Sequence, residues 1–458
     1  MAERLAVIGG DAAGMSAASV ARRRDSELEI VAFERGPYTS YSACGIPYYV
    51  SGLFDDSDRL ISRSPDEFRA SGIAVHTRCE VTGIDLDART LEVWDLDRRR
   101  SRVEGFDRLV YATGAEAVPG DFPGAELTEP VRTIDAAERF RGTLERRRAS
   151  TAVIIGAGYI GIEMAEALVQ RGLDVTIVEA REQVMTTLDP DIAAHVQDAA
   201  ESLGIRVMLS TRVDAVLHDD HGRPRYVHTS AGELPADHVV ISVGVKPVTA
   251  VAAAAGLELG ERGALKVDDH QRCPGFDGVY AAGDCVESWH RILERPLNVQ
   301  LGTHANKQGR IAGMNATGGD AAFPGVIGTA VSKLCRYEVA RTGMSEQEAE
   351  WCGREVVVAS VKDRTRAGYY PGSGPIWVKL TAEPGSGRLL GGQIVGVEGA
   401  AKRIDVLATA VWARLTVDEL ELVDLSYAPP FSGVYDPVLT AARRTAKAVR
   451  EAAAKAAA

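Results

Sequence analysis

Residues 151–168 read TAVIIGAGYIGIEMAEAL, and this stretch decides the fold. Thr151–Ile155 is an apolar, β-branched run of strand length. Gly156, Gly158 and Gly161 follow in a complete GxGxxG spacing, and a helical pattern continues to Leu168. A second apolar run, DVTIVE, ends at Glu179, 23 residues after Gly156. Strand, glycine turn, helix, strand and closing acid make a dinucleotide-binding unit. The glycines let the backbone approach a pyrophosphate at a helix N-terminus, and the acid accepts hydrogen bonds from ribose hydroxyls. A carboxylate at Glu179 also repels a 2′-phosphate, which favours NADH, while Arg181 two residues on leaves NADPH open.

The same order occurs once before. RLAVI at residues 4–8 leads into GGDAAG, Gly9 to Gly14, then an Ala-rich helix MSAASVARRR, then EIVAF and Glu34. Asp11 stands where the second glycine is usual. Two such units imply two dinucleotides, and the usual pair is FAD with a nicotinamide cofactor. Three later strands end in turns: LVYATG at Thr113 and Gly114, VVISVG at Gly244, and GVYAAGDC at Gly283 and Asp284. Open α/β sheets bind ligands at these carboxyl ends.

Outward from these units, 458 residues suggest about three domains. A net charge of −12 argues against nucleic acid or an anionic membrane as partner. MAERLAVIGG runs directly into a strand, with no leader pattern, and no stretch is long and apolar enough to span a bilayer. The six cysteines form no CxxC pair, so no metal site is expected, and their scarcity fits a reducing, cytoplasmic setting. One of them, Cys44, lies in SYSACGIPYYVSG, Ser40 to Gly52. Pro47 suits a first helical turn and Gly52 a C-cap, which places Cys44 at a helix N-terminus where a thiolate is stabilised. A lone cysteine is ordinarily buried and inert; the company of two dinucleotide units argues otherwise.

In order, GGDAAGMSAA, SYSACGIPYY, YATGA, GAGYIGIEMAE, VGVKP, YAAGDC, YYPG, AAKRIDVLA and YAPPFS span nearly the whole chain. The set resembles the flavoprotein pyridine nucleotide–disulfide oxidoreductases, in their single-cysteine branch of coenzyme A disulfide reductases and NADH oxidases. The resemblance implies an α/β fold with two Rossmann-like dinucleotide-binding domains and a C-terminal α+β dimerisation domain. The expected limits are 1–115 with 245–325 for FAD, 116–244 for NAD(P)H and 326–446 for dimerisation, and the Ala/Lys-rich tail at 447–458 reads as a fraying helix. It assigns Gly9, Asp11, Gly14, Glu34, Arg35, Val81, Thr113, Gly114, Gly283 and Asp284 to FAD. Gly156, Gly158, Tyr159, Gly161, Glu163, Glu179 and Gly244 go to the nicotinamide nucleotide, with Tyr159 covering the flavin and Glu163 meeting the carboxamide.

Cys44 would then carry either a mixed disulfide with coenzyme A or a sulfenic acid, with Ser40 beside the substrate. Ala43 departs from the asparagine common before this cysteine. Arg22, in the run Arg22–Arg24, is the expected ligand of coenzyme A phosphates, although such a run is also commonly a solvated face. The last histidine is His304, so no C-terminal histidine can serve as acid/base. Tyr427, Tyr369 and Tyr370 remain as proton donors, contributed across a homodimer, or else as interface packing. The expected activity is NAD(P)H-dependent reduction of coenzyme A disulfide. Reduction of oxygen is the alternative acceptor chemistry, and a redox-sensing flavoprotein is the alternative class.

Overall fold

Both glycine turns sit between a parallel strand and the helix that follows it. The computed structural model describes residues 3–147 and 149–457. Met1, Ala2, Arg148 and Ala458, on which parts of the N-terminal reading and of the expected domain limits fall, lie outside those residues. The chain forms two compact units.

The first unit comprises Met1–Ile46, Phe54–Val118 and Val245–Val326. Its five-stranded parallel sheet runs in the order Val279–Ala281, Arg108–Tyr111, Arg4–Ile8, Glu29–Phe33, Ala74–His76. The interiors of these strands are apolar because both faces are covered. Leu5 and Val7 face the helix layer, whereas Ala6 and Ile8 face a core that includes Val81, Leu91 and Val93. Val81, Leu91 and Val93 come from a three-stranded antiparallel meander, Cys79–Asp85, Thr90–Asp95 and Arg100–Gly105. Each such side chain contributes about 2 kcal/mol on burial.

In the helix layer, Ala12–Arg24 packs on the returning helix Gly302–Asn315. A Cβ on Gly309 would lie 2.1 Å from the Ala13 carbonyl oxygen, and one on Gly313 2.3 Å from that of Ala17. Only glycine permits so close an approach, which is why this helix returns here after more than a hundred intervening residues.

The second unit comprises Pro47–Leu53, Pro119–Gly244 and Ile327–Ala458. A four-stranded parallel sheet is ordered Arg206–Met208, Asp174–Val178, Thr151–Ile155, His238–Ile241. Beyond it lies a five-stranded antiparallel sheet, ordered Ala330–Leu334, Tyr337–Gly343, Leu389–Val397, Pro375–Ala382, Val357–Arg364. The sequence reading gives these sheets to residues 116–244 and 326–446, and both lie in this one compact unit.

A buried charge cluster is the physical reason. Lys379 Nζ, 4% exposed, lies 3.1 Å from the fully buried Asp189, 2.8 Å from Asp191 and 2.7 Å from Glu346. Asp189 also accepts hydrogen bonds from Gln393 Nε2 and from the backbone N–H groups of Glu346 and Gln347. Those N–H groups open the short helix Glu346–Trp351, which the sequence reading lacks although its capping box, Ser345 with Glu348, is present in the sequence.

The stretch read as a fraying helical tail is helical to Ala457. One helix, Pro437–Ala457, crosses residue 446 without a break. Val438, Ala441, Ala442, Thr445, Ala446 and Val449 form its buried stripe at helical spacing, so packing on the sheet carries the helix past that limit.

Candidate active site

The two dinucleotide units share the geometry of their first and last glycines and of their closing acids. Gly9 and Gly156 have φ of +107° and +101°. A Cβ on Gly9 would lie 2.1 Å from Ala112 O, and one on Gly156 2.6 Å from Ser242 O. Gly14 and Gly161 each press on the carbonyl of the first glycine, at 2.0 and 2.1 Å from a built Cβ. Glu34 accepts from Gly10 N at 2.7 Å and Gly36 N at 2.6 Å. Glu179 accepts from Ala157 N at 2.8 Å and Arg181 N at 2.9 Å. Each closing acid therefore braces its own glycine turn, with its carboxylate at the mouth of the turn.

In the first unit, Asp11, Glu34 and Asp284 converge. Burial, with the neighbouring Glu34 carboxylate and a smaller effect of Asp284, pushes Asp11 up to about 6. Asp11 accepts from Tyr41 N at 3.1 Å but makes no side-chain capping bond to the helix it precedes. The first-turn N–H groups there face the glycine turn, and the acids around them suit ribose and ribityl hydroxyls. These residues fit a flavin dinucleotide. Thr113 uses its hydroxyl on Val248 O, 2.6 Å away, Gly114 is left-handed at φ +71°, and Gly283 N donates to Gln308 Oε1 at 3.0 Å. Val81 is buried in the core and paired with Val93 in the meander, and Arg35 is held toward Glu80 at 3.6 Å.

In the second unit, Gly158 is the N-cap of the helix Tyr159–Gln170, and Gly244 is exposed with φ +113°. Tyr159 and Glu163 share one face of that helix, one turn apart. Thr187 Oγ1 donates to Tyr159 Oη at 3.4 Å, and Arg341 donates to the Thr187 carbonyl. This end of the helix, with its open glycine turn, fits a second dinucleotide.

Cys44 is exposed and lies in a 3₁₀ turn, Ala43–Gly45, that runs directly into the helix Ile46–Ser51. Pro47 occupies the first turn of that helix. Gly52, φ +85°, ends it: Leu53 N donates to Tyr48 O and Gly52 N to Tyr49 O, both at 3.1 Å. Burial pushes the Cys273 and Cys285 thiols up to about 12 and 11 and raises Cys335, so none of these supplies a thiolate near neutral pH.

Ser40 is held at φ +49° between Gly10 O, which accepts from its N–H, and Ser62 N, which donates to its carbonyl. It lines a cavity of about 310 Å³ with Ser16, Ser19, Arg23, Arg63 and Arg310. No carboxylate lines this cavity, and neither Arg23 nor Arg310 pairs with one among the described residues. A larger cavity of about 510 Å³ also has arginines, but Arg69, Arg98 and Arg102 are paired there with Asp66, Asp95 and Glu104.

The expected anion ligand Arg22 lies in the last turn of its helix. Its two Nη groups donate to the carbonyls of Asp25, Ser26 and Leu28, where they close the helix end. The next residue, Arg23, is the one that faces the cavity.

The tyrosines lie on two loops of the second unit. Tyr369, Tyr370 and Tyr427 are 79%, 36% and 49% exposed. Arg403, which sequence reasoning passed over inside AAKRIDVLA, ties the loops together: it donates to Thr365 O and Phe431 O, each at 2.8 Å, and pairs with Asp436 at 2.9 Å. Ala367 N donating to Pro429 O at 3.2 Å completes the join. No helix among the described residues is long and apolar enough to cross a membrane.

Residues 3–309 match the family described as pyridine nucleotide-disulphide oxidoreductase, and 329–437 match its dimerisation domain. The chain is 37% identical over 448 residues to an NAD(P)H coenzyme A polysulfide/persulfide reductase of Pyrococcus horikoshii, covering 97% of this chain and 98% of the relative. It is 34% identical over 449 residues to an NADH oxidase of Methanocaldococcus jannaschii, covering 97% and 99%. The solved structure of an NAD-dependent persulfide reductase from A. fulgidus superposes with a TM-score of 0.93 at 38% identity, covering 98% of this chain and 84% of that one. With two matched glycine turns, an exposed cysteine and these likenesses over nearly its whole length, the chain belongs to the pyridine nucleotide-disulphide oxidoreductase family and is an FAD- and NAD(P)H-dependent oxidoreductase.

Proposed function

We propose that this enzyme reduces coenzyme A disulfide with NADH through the single cysteine Cys44, as a homodimer. The observation that carries the reading is the cavity at Ser40. Three guanidiniums, two of them without a carboxylate partner, together with three serine hydroxyls match a ligand bearing several phosphates. Ser40 lies four residues before Cys44, so the ligand's thiol end has a short path to the reactive sulfur.

FAD, when bound, relays two electrons from NADH to sulfur. The Cys44 thiolate attacks the disulfide, a Cys44–S–S–CoA bond forms, and the first coenzyme A leaves as a thiol with a proton from Tyr427 of the partner protomer. Two electrons then cleave the mixed disulfide and release the second thiolate; the proton delivered with the hydride and one from solvent protonate that thiolate and restore Tyr427. The sum is one disulfide, one NADH and one proton giving two thiols and NAD⁺. The same cavity admits coenzyme A persulfide, the substrate class in the name of the Pyrococcus relative, as a second reading.

The test is anaerobic NADH oxidation with coenzyme A disulfide, beside coenzyme A persulfide and an air-saturated control without either. Fast anaerobic turnover of the disulfide is expected. Turnover confined to air would make the enzyme an oxidase, and turnover confined to persulfide would select the second reading. Arg23→Glu is expected to raise KM for coenzyme A disulfide at least tenfold while leaving KM for NADH within about twofold. Arg22→Glu, whose partner carbonyls lie away from the cavity, is expected to affect stability more than either KM. Equal effects of Arg23→Glu on both substrates would remove the cavity from the substrate path.

A further inference from the structure

The strand Ala330–Leu334 packs against the helix that carries Tyr159 and Glu163. Its alternation turns Ser332 inward, 7% exposed, while Val331 and Lys333 face out. Ser332 Oγ donates to Glu163 Oε1 at 3.0 Å. That bond occupies one carboxylate oxygen and leaves Oε2 for a ligand. No part of the helix itself fixes the Glu163 side chain in this way, because its own neighbours on that face are Tyr159, one turn back, and Glu166, one turn on.

We propose that Ser332 is a positioning residue for nicotinamide binding: its hydroxyl fixes the Glu163 carboxylate as an acceptor for the carboxamide N–H. The inference rests on the reading that Glu163 meets the carboxamide. It gives a serine of the dimerisation region a part in cofactor recognition, separate from any part in joining protomers.

The electrostatic surroundings give the bond a second consequence. Burial pushes Glu163 up to about 7; the Ser332 hydrogen bond opposes this, and the Glu166 carboxylate adds to it. The groups around it are Tyr159 and Glu166 on its own helix, Ser332 on the packed strand, Cys335 in the following turn near Glu166, and Arg341 on the next strand near Tyr159. An ionised carboxylate accepts a carboxamide N–H better than the acid does. Nucleotide affinity therefore rises with pH through neutrality, and removing the hydroxyl moves that rise to higher pH.

The experiment is a titration of the FAD-loaded enzyme with NAD⁺, followed by the flavin absorbance, at pH values from 6 to 9. For the parent enzyme, Kd is expected to fall through a midpoint near 7. Ser332→Ala is expected to weaken NAD⁺ about three- to tenfold at pH 7.5 and to move the midpoint up by about half a unit to one unit. Ser332→Thr, which keeps the hydroxyl, is expected to restore affinity to within about twofold. Glu163→Gln is expected to flatten the profile and make Ser332→Ala silent in the double variant. A parent-like Kd and midpoint in Ser332→Ala, with Glu163→Gln still flattening the profile, would overturn the role of Ser332 alone. An unchanged Kd in Glu163→Gln would instead remove Glu163 from the nicotinamide site. Should Ser332→Ala lose its flavin, Ser332→Cys, similar in shape but a weak donor, is measured in its place against the same two outcomes.

Discussion

Cys44→Ser is expected to leave FAD bound and NADH still able to reduce it, while turnover of coenzyme A disulfide falls at least a thousandfold. A serine hydroxyl has no accessible anion at neutral pH and cannot form the mixed disulfide, so the step that captures substrate is lost outright. Retention of FAD is expected because the glycine turn is braced by Glu34 on Gly10 N and Gly36 N, bonds in which Cys44 has no part. The checks are the flavin spectrum, single-turnover reduction by NADH, and anaerobic steady-state turnover. Full disulfide turnover by the serine variant would end the single-cysteine mechanism.

The second large effect is on stability. Lys379→Ala is expected to destabilise the second unit by about 3–5 kcal/mol. The cation is almost wholly buried, and its loss strands Asp189, which has no access to solvent. Burial by itself would make Lys379 easier to deprotonate, but its hydrogen bonds to Asp191 and Glu346 outweigh that and raise its pKa. Because the raised value lies above that of an unfolded lysine, the stabilisation is present in full at neutral pH and is lost only in strong alkali. The control is Lys402→Ala: its pair with Asp405 is 84% and 56% exposed, and its loss is expected to cost under about 1 kcal/mol. Thermal denaturation of both variants beside the parent makes the comparison. Equal, small shifts would show that Asp189 is satisfied by Gln393 and the helix N–H groups without the lysine.

What could be read from the chain alone follows a simple division. The glycine turns and their closing acids, Glu34 and Glu179, are local patterns with one physical solution, and they fold as their spacing says. The same holds for Pro47 and Gly52 around the helix after Cys44. Arg22 and Arg23 mark the limit. They are adjacent and alike in charge, the sequence reading favours Arg22, and only the path of the chain after the helix decides which one is held by carbonyls. Lys379, Ser332 and Arg403 were invisible for a related reason: each acts on groups far away in sequence, so no local signal marks it. The helix Glu346–Trp351 was legible in its capping box and simply passed over.

The discontinuity of the first unit bears on synthesis as well as architecture. Its central strands, Arg4–Ile8 and Arg108–Tyr111, leave the ribosome early, yet the edge strand Val279–Ala281 that pairs with the latter follows roughly 170 residues later. At ordinary elongation rates that delay is on the order of ten to thirty seconds. The parallel sheet containing Thr151–Ile155 is encoded without interruption between those two points and is complete at Ile241. The nascent chain thus carries every strand of its second nucleotide sheet before the edge strand of the first has been made, and the helix Gly302–Asn315 follows later still.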